Sequence, residues 1–233
     1  MEIYSVNISN WDCKDKIDGL LEYISKEKID KFKKFKFKED ILRSVYGDIL
    51  IRNIICRYFN IKNNEINFMK GLYGKPYLKD VKEFNFNISH SGNWVVCVVD
   101  KKEVGIDIEQ IKPIEIAIAK KNFTTEEYER IIGQKDYLRI SMFYNLWTLK
   151  ESFIKIIGKG LYIPLNSFNV NIYNENNITV RTKNNLETFY FKQYNIDSNY
   201  KMAVCSKSTK FPQNVNRIES DDLYEEFTKL NID

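Results

Sequence analysis

The sequence predicts an α+β fold of two similar lobes, each a small antiparallel sheet packed with helices. Three observations support this. Helical periodicity and short strand-like runs follow each other in the same order twice, helices first and strands after. Hydrophobic residues make up 43% and charged residues 29% of the 233, a globular composition that buries a core without staples. No low-complexity linker divides the halves, so the lobes are expected to pack rigidly. There is no literal repeat, and the likeness of the lobes rests on element order alone.

Residues 24–59 read as helix. Ile29, Phe32 and Phe35 recur at helical spacing and read as core; after a break near 37–39, Leu42, Val45, Ile49 and Ile55 continue the stripe. A polar connection at 60–65 and a breaker-rich turn at 71–77 follow. Three strand-like runs, 84–89, 94–100 and 104–109, are joined by short turns and predict a meander. In the second half a helix starts at Thr124 or Thr125, with Glu126, Glu127 and Glu129 suited to its positive end. A longer helix spans 136–157 and stops at Gly158-Lys159-Gly160. Runs at 168–173, 177–180, 189–194 and 201–205 read as the second set of strands. Residues 174–177 and 183–185 read as loop tips, the tail from Phe211 as the frayed segment, and the opening residues carry no clear signal.

Several function classes are excluded or disfavoured. Cys13, Cys56, Cys97 and Cys205 are scattered and His90 is the sole histidine, so neither a zinc site nor a disulfide framework is signalled. The start lacks a basic segment followed by a long apolar run, and no stretch approaches the roughly 20 residues of a membrane span. A reduced, cytoplasmic location is the expectation. Net charge is only +4, yet seven lysines stand between Lys26 and Lys38 against Glu27 and Asp30. Such a field suits an anionic partner.

Four groups of residues could carry chemistry. Asp107 and Glu109, in Gly-Ile-Asp-Ile-Glu, share one face of a strand while Ile106 and Ile108 take the other. Paired carboxylates with open positions suit Mg²⁺ carrying phosphate oxygens, although a half-exposed strand with its acids outward is the commoner arrangement. Trp147, Glu151 and Lys155 share a helix face, and Glu151 offers a third carboxylate. Lys150 stands about 100° away and is expected to point elsewhere and matter little. Ser89 and His90 sit at a strand end and could donate to phosphate oxygens. Gly74-Lys75-Pro76 makes a rigid turn able to hold a flat base against backbone.

Gly-Lys-Pro, then Phe86-Asn-Ile-Ser-His-Ser-Gly92, then Gly105-Ile-Asp-Ile-Glu109, then Trp147-Thr-Leu-Lys-Glu151 with Lys155 and Gly158-Lys-Gly160, is an order that strongly resembles the 4′-phosphopantetheinyl transferases of the longer, Sfp type. The resemblance runs from about residue 25 to residue 205. It implies their pseudo-twofold fold with the active site between lobes, and transfer of the 4′-phosphopantetheine arm of coenzyme A to a serine of an apo carrier protein, releasing 3′,5′-ADP. Asp107, Glu109 and Glu151 would hold Mg²⁺. Lys155 would face the α-phosphate, and Glu151 would accept the serine proton. Lys28, Lys31, Arg43 and His90 would surround the 3′-phosphate, Ser89 would reach a phosphate, and Tyr73, Gly74, Lys75 and Pro76 would flank the adenine. Residues 1–105 would then be the lobe contacting coenzyme A, and residues 106–233 the lobe of the metal and the carrier. Peptidyl or acyl carriers of nonribosomal-peptide, polyketide or fatty-acid synthesis would dock between Lys112 and Thr125, where Ile114, Ile116, Ile118 and Phe123 alternate with Lys112, Lys120 and Lys121. With both lobes in one chain, a monomer would suffice, and neither nucleic acid nor membrane is an expected partner. The extra lysines Lys33, Lys34, Lys36 and Lys38 would form a solvated face. A nucleic-acid binder stacking bases on Phe32, Phe35 and Phe37 is the alternative, but it leaves Asp107 and Glu109 without a purpose. A degenerate transferase that only binds carriers is a third, opposed by the intact acidic trio.

Overall fold

The run Trp94-Val-Val-Cys-Val-Val99 is buried throughout because its alternate residues feed two different cores. The computed structural model describes residues 1–9, 14–182 and 188–231; Cys13 and the expected loop tip at 183–185 lie outside the described residues. The first half holds β1 (Glu2–Asn7), α1 (Lys14–Leu21), α2 (Lys26–Phe32), α3 (Lys38–Phe59), β2 (Phe68–Lys70), β3 (Pro76–Leu78), β4 (Asn85–Ser91), β5 (Trp94–Asp100) and β6 (Val104–Gln110). The second holds α4 (Ala117–Asn122), α5 (Thr125–Ile132), α6 (Asp136–Ile157), β7 (Asn169–Asn174), β8 (Asn177–Arg181), β9 (Tyr190–Tyr194), β10 (Tyr200–Ser206), β11 (Asn216–Glu219) and α7 (Ser220–Leu230).

Among the described residues a four-stranded sheet runs β11-β1-β5-β4 and a three-stranded sheet runs β6-β10-β9, with β2–β3 and β7–β8 as separate hairpins. Val95, Cys97 and Val99 pack with Val45, Ile49 and Ile55 of α3. Val96 and Val98 meet Ile106, Ile108, Met202 and Val204 across the space between the sheets. Leu146, Leu149 and Phe153 of α6 cover the far face of the second sheet at Ala203 and Cys205. The layers are therefore helix, sheet, sheet, helix, as two α+β lobes packed sheet to sheet. No helix among the described residues is long and apolar enough to cross a membrane.

The helices 26–32, 38–59 and 136–157 stand where periodicity puts them, and α5 starts from Thr124, whose side chain accepts from the Glu127 N–H in a capping box. The strand pairing departs from the expected meanders. β4 and β5 pair, but β6 crosses to the other sheet and pairs with β10. Ile106 and Ile108 are buried in the core between the sheets, which a third strand beside β5 or β4 in one plane would not allow. In the second half β7–β8 stands alone while β9 and β10 join β6. The turn at 71–75 is the tip of the β2–β3 hairpin, and the opening residues form β1, antiparallel to β5. Phe32 is core, but Phe35 and Phe37 are 42% and 55% exposed, because α2 ends at Phe32 and the stripe stops with it.

The tail is not frayed. β11 pairs parallel with β1, and α7 buries Leu223 and Phe227 completely beside α3, with Tyr23 edge-on to Phe227 at 5.2 Å. The last stretch of the second half thus closes the core of the first. We expect Phe227→Ala to cost about 3–5 kcal/mol in urea denaturation, as for a filled core site, whereas a frayed tail would tolerate it with no change in midpoint.

Candidate active site

Asp107 and Glu109 leave β6 toward α6, and the helix comes close because residue 105 is glycine. A Cβ there would lie 2.1 Å from Ser152 O and 2.7 Å from Ile156 N, so no larger residue permits this approach. Glu151 and Lys155, one turn apart, are brought over the strand. Together with Ile88, Ser89, His90 and Trp147 these four charged groups line a cavity of about 380 Å³. Asp107 is 3% exposed. Its Oδ1 accepts from Lys155 Nζ at 2.6 Å and Ser89 Oγ at 2.9 Å, while its buried Oδ2 has no partner. Glu109 Oε2 accepts from Ser91 Oγ at 2.7 Å. Among the described residues Glu151 has no hydrogen-bond or ion-pair partner.

The electrostatics are unbalanced. Burial, helped by Asp107, lifts the Glu109 carboxyl to about 7. Burial also raises Asp107 against the pull of Lys155, and burial followed by Asp107 raises Glu151. Three carboxylates share one ammonium. No three His, Cys, Asp or Glu side chains among the described residues form a ready ligand cluster, and the Lys155 ammonium occupies Asp107 Oδ1.

A neighbouring cavity of about 590 Å³ shares Ile88 and His90 with the first and is lined by Lys28, Lys31 and Lys70. Lys28 is paired with Asp48, which also holds Arg52 at 2.9 Å. Lys31 and Lys70 meet at Glu27, at 3.1 and 2.6 Å. Arg43 is turned aside: its guanidinium donates to Gly92 O at 2.9 Å and pairs with Asp40. Burial first, then Arg43 and Lys155, hold the His90 imidazole below its usual value.

Tyr73, Gly74, Lys75 and Pro76 line a third space of about 310 Å³ with Glu151 and Lys155. The Lys75 ammonium does not face it. It donates to Lys155 O at 2.7 Å, Val104 O at 3.1 Å and Ile156 O at 3.3 Å, tying the hairpin to β6 and the end of α6, and burial pulls it down to about 8. It satisfies carbonyls that a helix end leaves open. Ser89 likewise spends its single proton on Asp107, so it has none for a phosphate. Between Lys112 and Thr125 the three lysines Lys112, Lys120 and Lys121 are exposed and Ile118 is 44% exposed. Ile114 and Ile116 are half-buried, and Phe123 is core, edge-on to Phe143 at 5.2 Å. Phe123 is therefore removed from the expected docking surface.

Sequence reasoning missed Asn87 and Ser91, although polar residues alternating through a buried strand are a legible signal. It also missed Asp48 and Arg52, at i and i+4 on the buried face of α3, and Tyr162, whose ring lies 5.3 Å from that of Tyr73. Lys150 does point away from Glu151's face, but into the interior. It is 0% exposed, donating to Glu127 Oε1 and Oε2 at 2.6 and 2.8 Å and to Phe168 O at 2.6 Å. Glu127 also accepts from Val170 N–H at 2.7 Å, so this pair joins α5, α6 and β7.

Residues 103–205 match the 4′-phosphopantetheinyl transferase superfamily, and residues 9–102 match a 4′-phosphopantetheinyl transferase N-terminal domain. The chain is 37% identical over 223 residues to the 4′-phosphopantetheinyl transferase Sfp of Bacillus subtilis strain 168, covering 96% of this chain and 100% of that protein. It is 37% identical over 206 residues to the 4′-phosphopantetheinyl transferase gsp of Aneurinibacillus migulanus, covering 88% and 86%. It is 31% identical over 236 aligned positions to the human L-aminoadipate-semialdehyde dehydrogenase-phosphopantetheinyl transferase, covering 90% and 76%.

The two lysines of α6 are expected to separate cleanly. Lys150→Met leaves Glu127 buried and uncompensated and should cost about 3–5 kcal/mol, with much of the loss recovered in Lys150→Met/Glu127→Gln. Lys155→Met should lose transfer at a smaller cost in stability than Lys150→Met, because Lys155 is part-exposed and Asp107 keeps the Ser89 hydroxyl as a donor. Denaturation midpoints beside turnover rates check both.

Proposed function

The chain belongs to the 4′-phosphopantetheinyl transferase family, and from that premise we propose how its cavity moves the 4′-phosphopantetheine arm of coenzyme A to a serine of an apo carrier protein. The observation that carries the reading is the meeting of Asp107, Glu109, Glu151 and Lys155 in one cavity that adjoins a lysine-lined one through Ile88 and His90.

The carboxylates have the donor chemistry a divalent cation takes, once Lys155 gives up Asp107. Their donors are oxygen only, Asp107 Oδ2 is buried without a partner, and the cavity holds three acids against one ammonium. Asp107, Glu109 and Glu151 would hold Mg²⁺, which, when bound, supplies charge neutralisation for the pyrophosphate. The chain's own residues do the rest. Lys28, Lys31 and His90 face the 3′-phosphate, with Arg43 fixing the Gly92 turn behind His90. Tyr73, Gly74 and Pro76 flank the adenine, and Lys75 holds that turn against α6. The carrier serine hydroxyl attacks the β-phosphorus, the bond to 3′,5′-ADP breaks, and Glu151 takes the serine proton. A carboxylate raised by burial and free of hydrogen bonds is suited to that task. Lys155 leaves Asp107 for the phosphate next to the breaking bond and favours the charge that grows there.

In this reading residues 1–105 bind the nucleotide end, and residues 106–233 supply the acids and receive the carrier. Lys112, Lys120 and Lys121 around Ile118 suit an acidic, amphipathic carrier helix, of the peptidyl, polyketide or fatty-acid type. Both sheets and every cavity-lining group come from one chain, so a monomer suffices. The cytoplasm, with its coenzyme A and reducing poise, suits the free buried thiols Cys56, Cys97 and Cys205. The direct test is mass spectrometry of apo carrier proteins incubated with the protein, coenzyme A and Mg²⁺, expecting one phosphopantetheine on the carrier serine. Carriers left unmodified overturn the reading.

Two predictions follow from the electrostatics. All three carboxyls are raised in the folded state, Glu109 from 4.5 to about 7. The folded protein then keeps protons that the unfolded chain has released, so this set stabilises at low pH and its contribution is lost as pH rises from about 4.5 to 7. Mg²⁺ with 3′,5′-ADP should accordingly raise the Tm more at pH 8 than at pH 5, and chelator should stop transfer. Lys31 is exposed and, among the described residues, its ion-pair partner is Glu27, so Lys31→Ala should raise the KM for coenzyme A by about two- to fivefold. Dephospho-coenzyme A, lacking the 3′-phosphate, should be nearly unaffected; equal effects on both would show only a general field.

A further inference from the structure

We infer that Ser91 is a positioning residue for Glu109, the end of a row of β4 side chains that sets the carboxylates of β6. This rests on the reading above, in which Glu109 is a cation ligand. β6 is the outer strand of its sheet and β4 the outer strand of the other. Two outer strands side by side usually join by backbone, or are kept apart. Here they are joined by side chains. Asn87, Ser89 and Ser91 alternate along β4, so they share the face opposite Ile88. Each takes one N–H from the free edge of β6. Ile106 N–H donates to Asn87 Oδ1 at 2.9 Å, Ile108 N–H to Ser89 Oγ at 3.3 Å, and Gln110 N–H to Ser91 Oγ at 3.1 Å.

The residue types follow from what precedes each N–H. Before Ile106 stands Gly105, with no side chain, and an acceptor alone is enough. Before Ile108 and Gln110 stand Asp107 and Glu109, and there a hydroxyl is needed, because it accepts from the N–H and donates onward. Ser89 donates to Asp107 Oδ1 at 2.9 Å and Ser91 to Glu109 Oε2 at 2.7 Å. The backbone of β6 thus orients the hydroxyl, and the hydroxyl orients the acid. Ser89 also receives the Lys155 ammonium at 2.8 Å, so its loss disturbs several groups at once. Among the described residues the Ser91 hydroxyl hydrogen-bonds only with Glu109 and the Gln110 N–H. It meets neither the lysine-lined cavity nor the adenine turn.

Ser91→Ala removes the donor that holds Glu109, and Ser91→Thr keeps it. The experiment measures Mn²⁺ binding to the full chain by electron paramagnetic resonance, with coenzyme A present, beside steady-state transfer and Tm. A hydrogen bond to a charged group is worth roughly a factor of ten or more. Ser91→Ala is expected to weaken Mn²⁺ about tenfold and lower kcat by a similar factor, with KM for coenzyme A within about twofold. Ser91→Thr is expected to restore both. Unchanged Mn²⁺ affinity in Ser91→Ala overturns the inference alone. Equal losses in the Ala and Thr variants, with a fall in Tm, overturn it too, since they mark a packing role. No saturable Mn²⁺ binding by the unaltered protein overturns the cation reading and this inference with it.

Discussion

At Gly105 a strand and a helix touch backbone to backbone, 2.1 Å separating Ser152 O from where a Cβ would stand. Everything at the cavity depends on that approach. It lets α6 lie along β6 closely enough for Lys155 Nζ to reach Asp107 Oδ1, and it hangs Glu151 over the same strand. Lys75 fastens the arrangement from the other lobe by donating to carbonyls of both β6 and α6. The lysine of the β2–β3 turn therefore acts as a clasp between strand, helix and hairpin.

Two lysines five residues apart on one helix illustrate how placement, not residue type, decides a role. Lys150 is sealed between Glu127 and the Phe168 carbonyl, its ring-face neighbour Phe168 lying 4.1 Å from the ammonium. Every proton is matched and the pair is fixed, which gives three elements a common anchor. Lys155 stays part-exposed in a cavity with more acid than base, holding Asp107 but not neutralising its neighbours. An ammonium on a flexible stem can leave such a partner when a phosphate arrives. The first lysine holds three elements together and the second lines the cavity.

The end of the chain acts at a distance on the same cavity. β11 and α7 close the core in which α3 sits, and α3 carries the Asp48 that holds Lys28. Lys192 and Tyr194 of the second sheet both donate to Pro212 O on the way, at 2.8 and 2.9 Å, so the returning segment also spans the two lobes. Losing it would loosen the basic cavity without touching any residue in it.

The sequence by itself determined the helices α2, α3, α5 and α6, most strands and which charged residues share a face, because these are local or periodic properties. The stripe from Leu42 to Ile55, the capping box at Thr124 and the Gly158 stop each act within a few residues. Asp107 and Glu109 share a face by the period of a strand, and Glu151 and Lys155 by the period of a helix. Only the tertiary structure decided which strands pair, because β6 reads the same whether it follows β5 or leaves it, and the burial of Ile106 and Ile108 between two sheets is a property of neighbours far along the chain. The same holds for Lys150, Lys75 and Phe123, whose types suggest surface, ligand and docking roles. Each is claimed instead by partners that sequence spacing does not reveal: Glu127, the carbonyls of Val104 and Lys155, and Phe143. A charge or a ring takes its role from what is packed against it, and packing is settled only when the whole chain has folded.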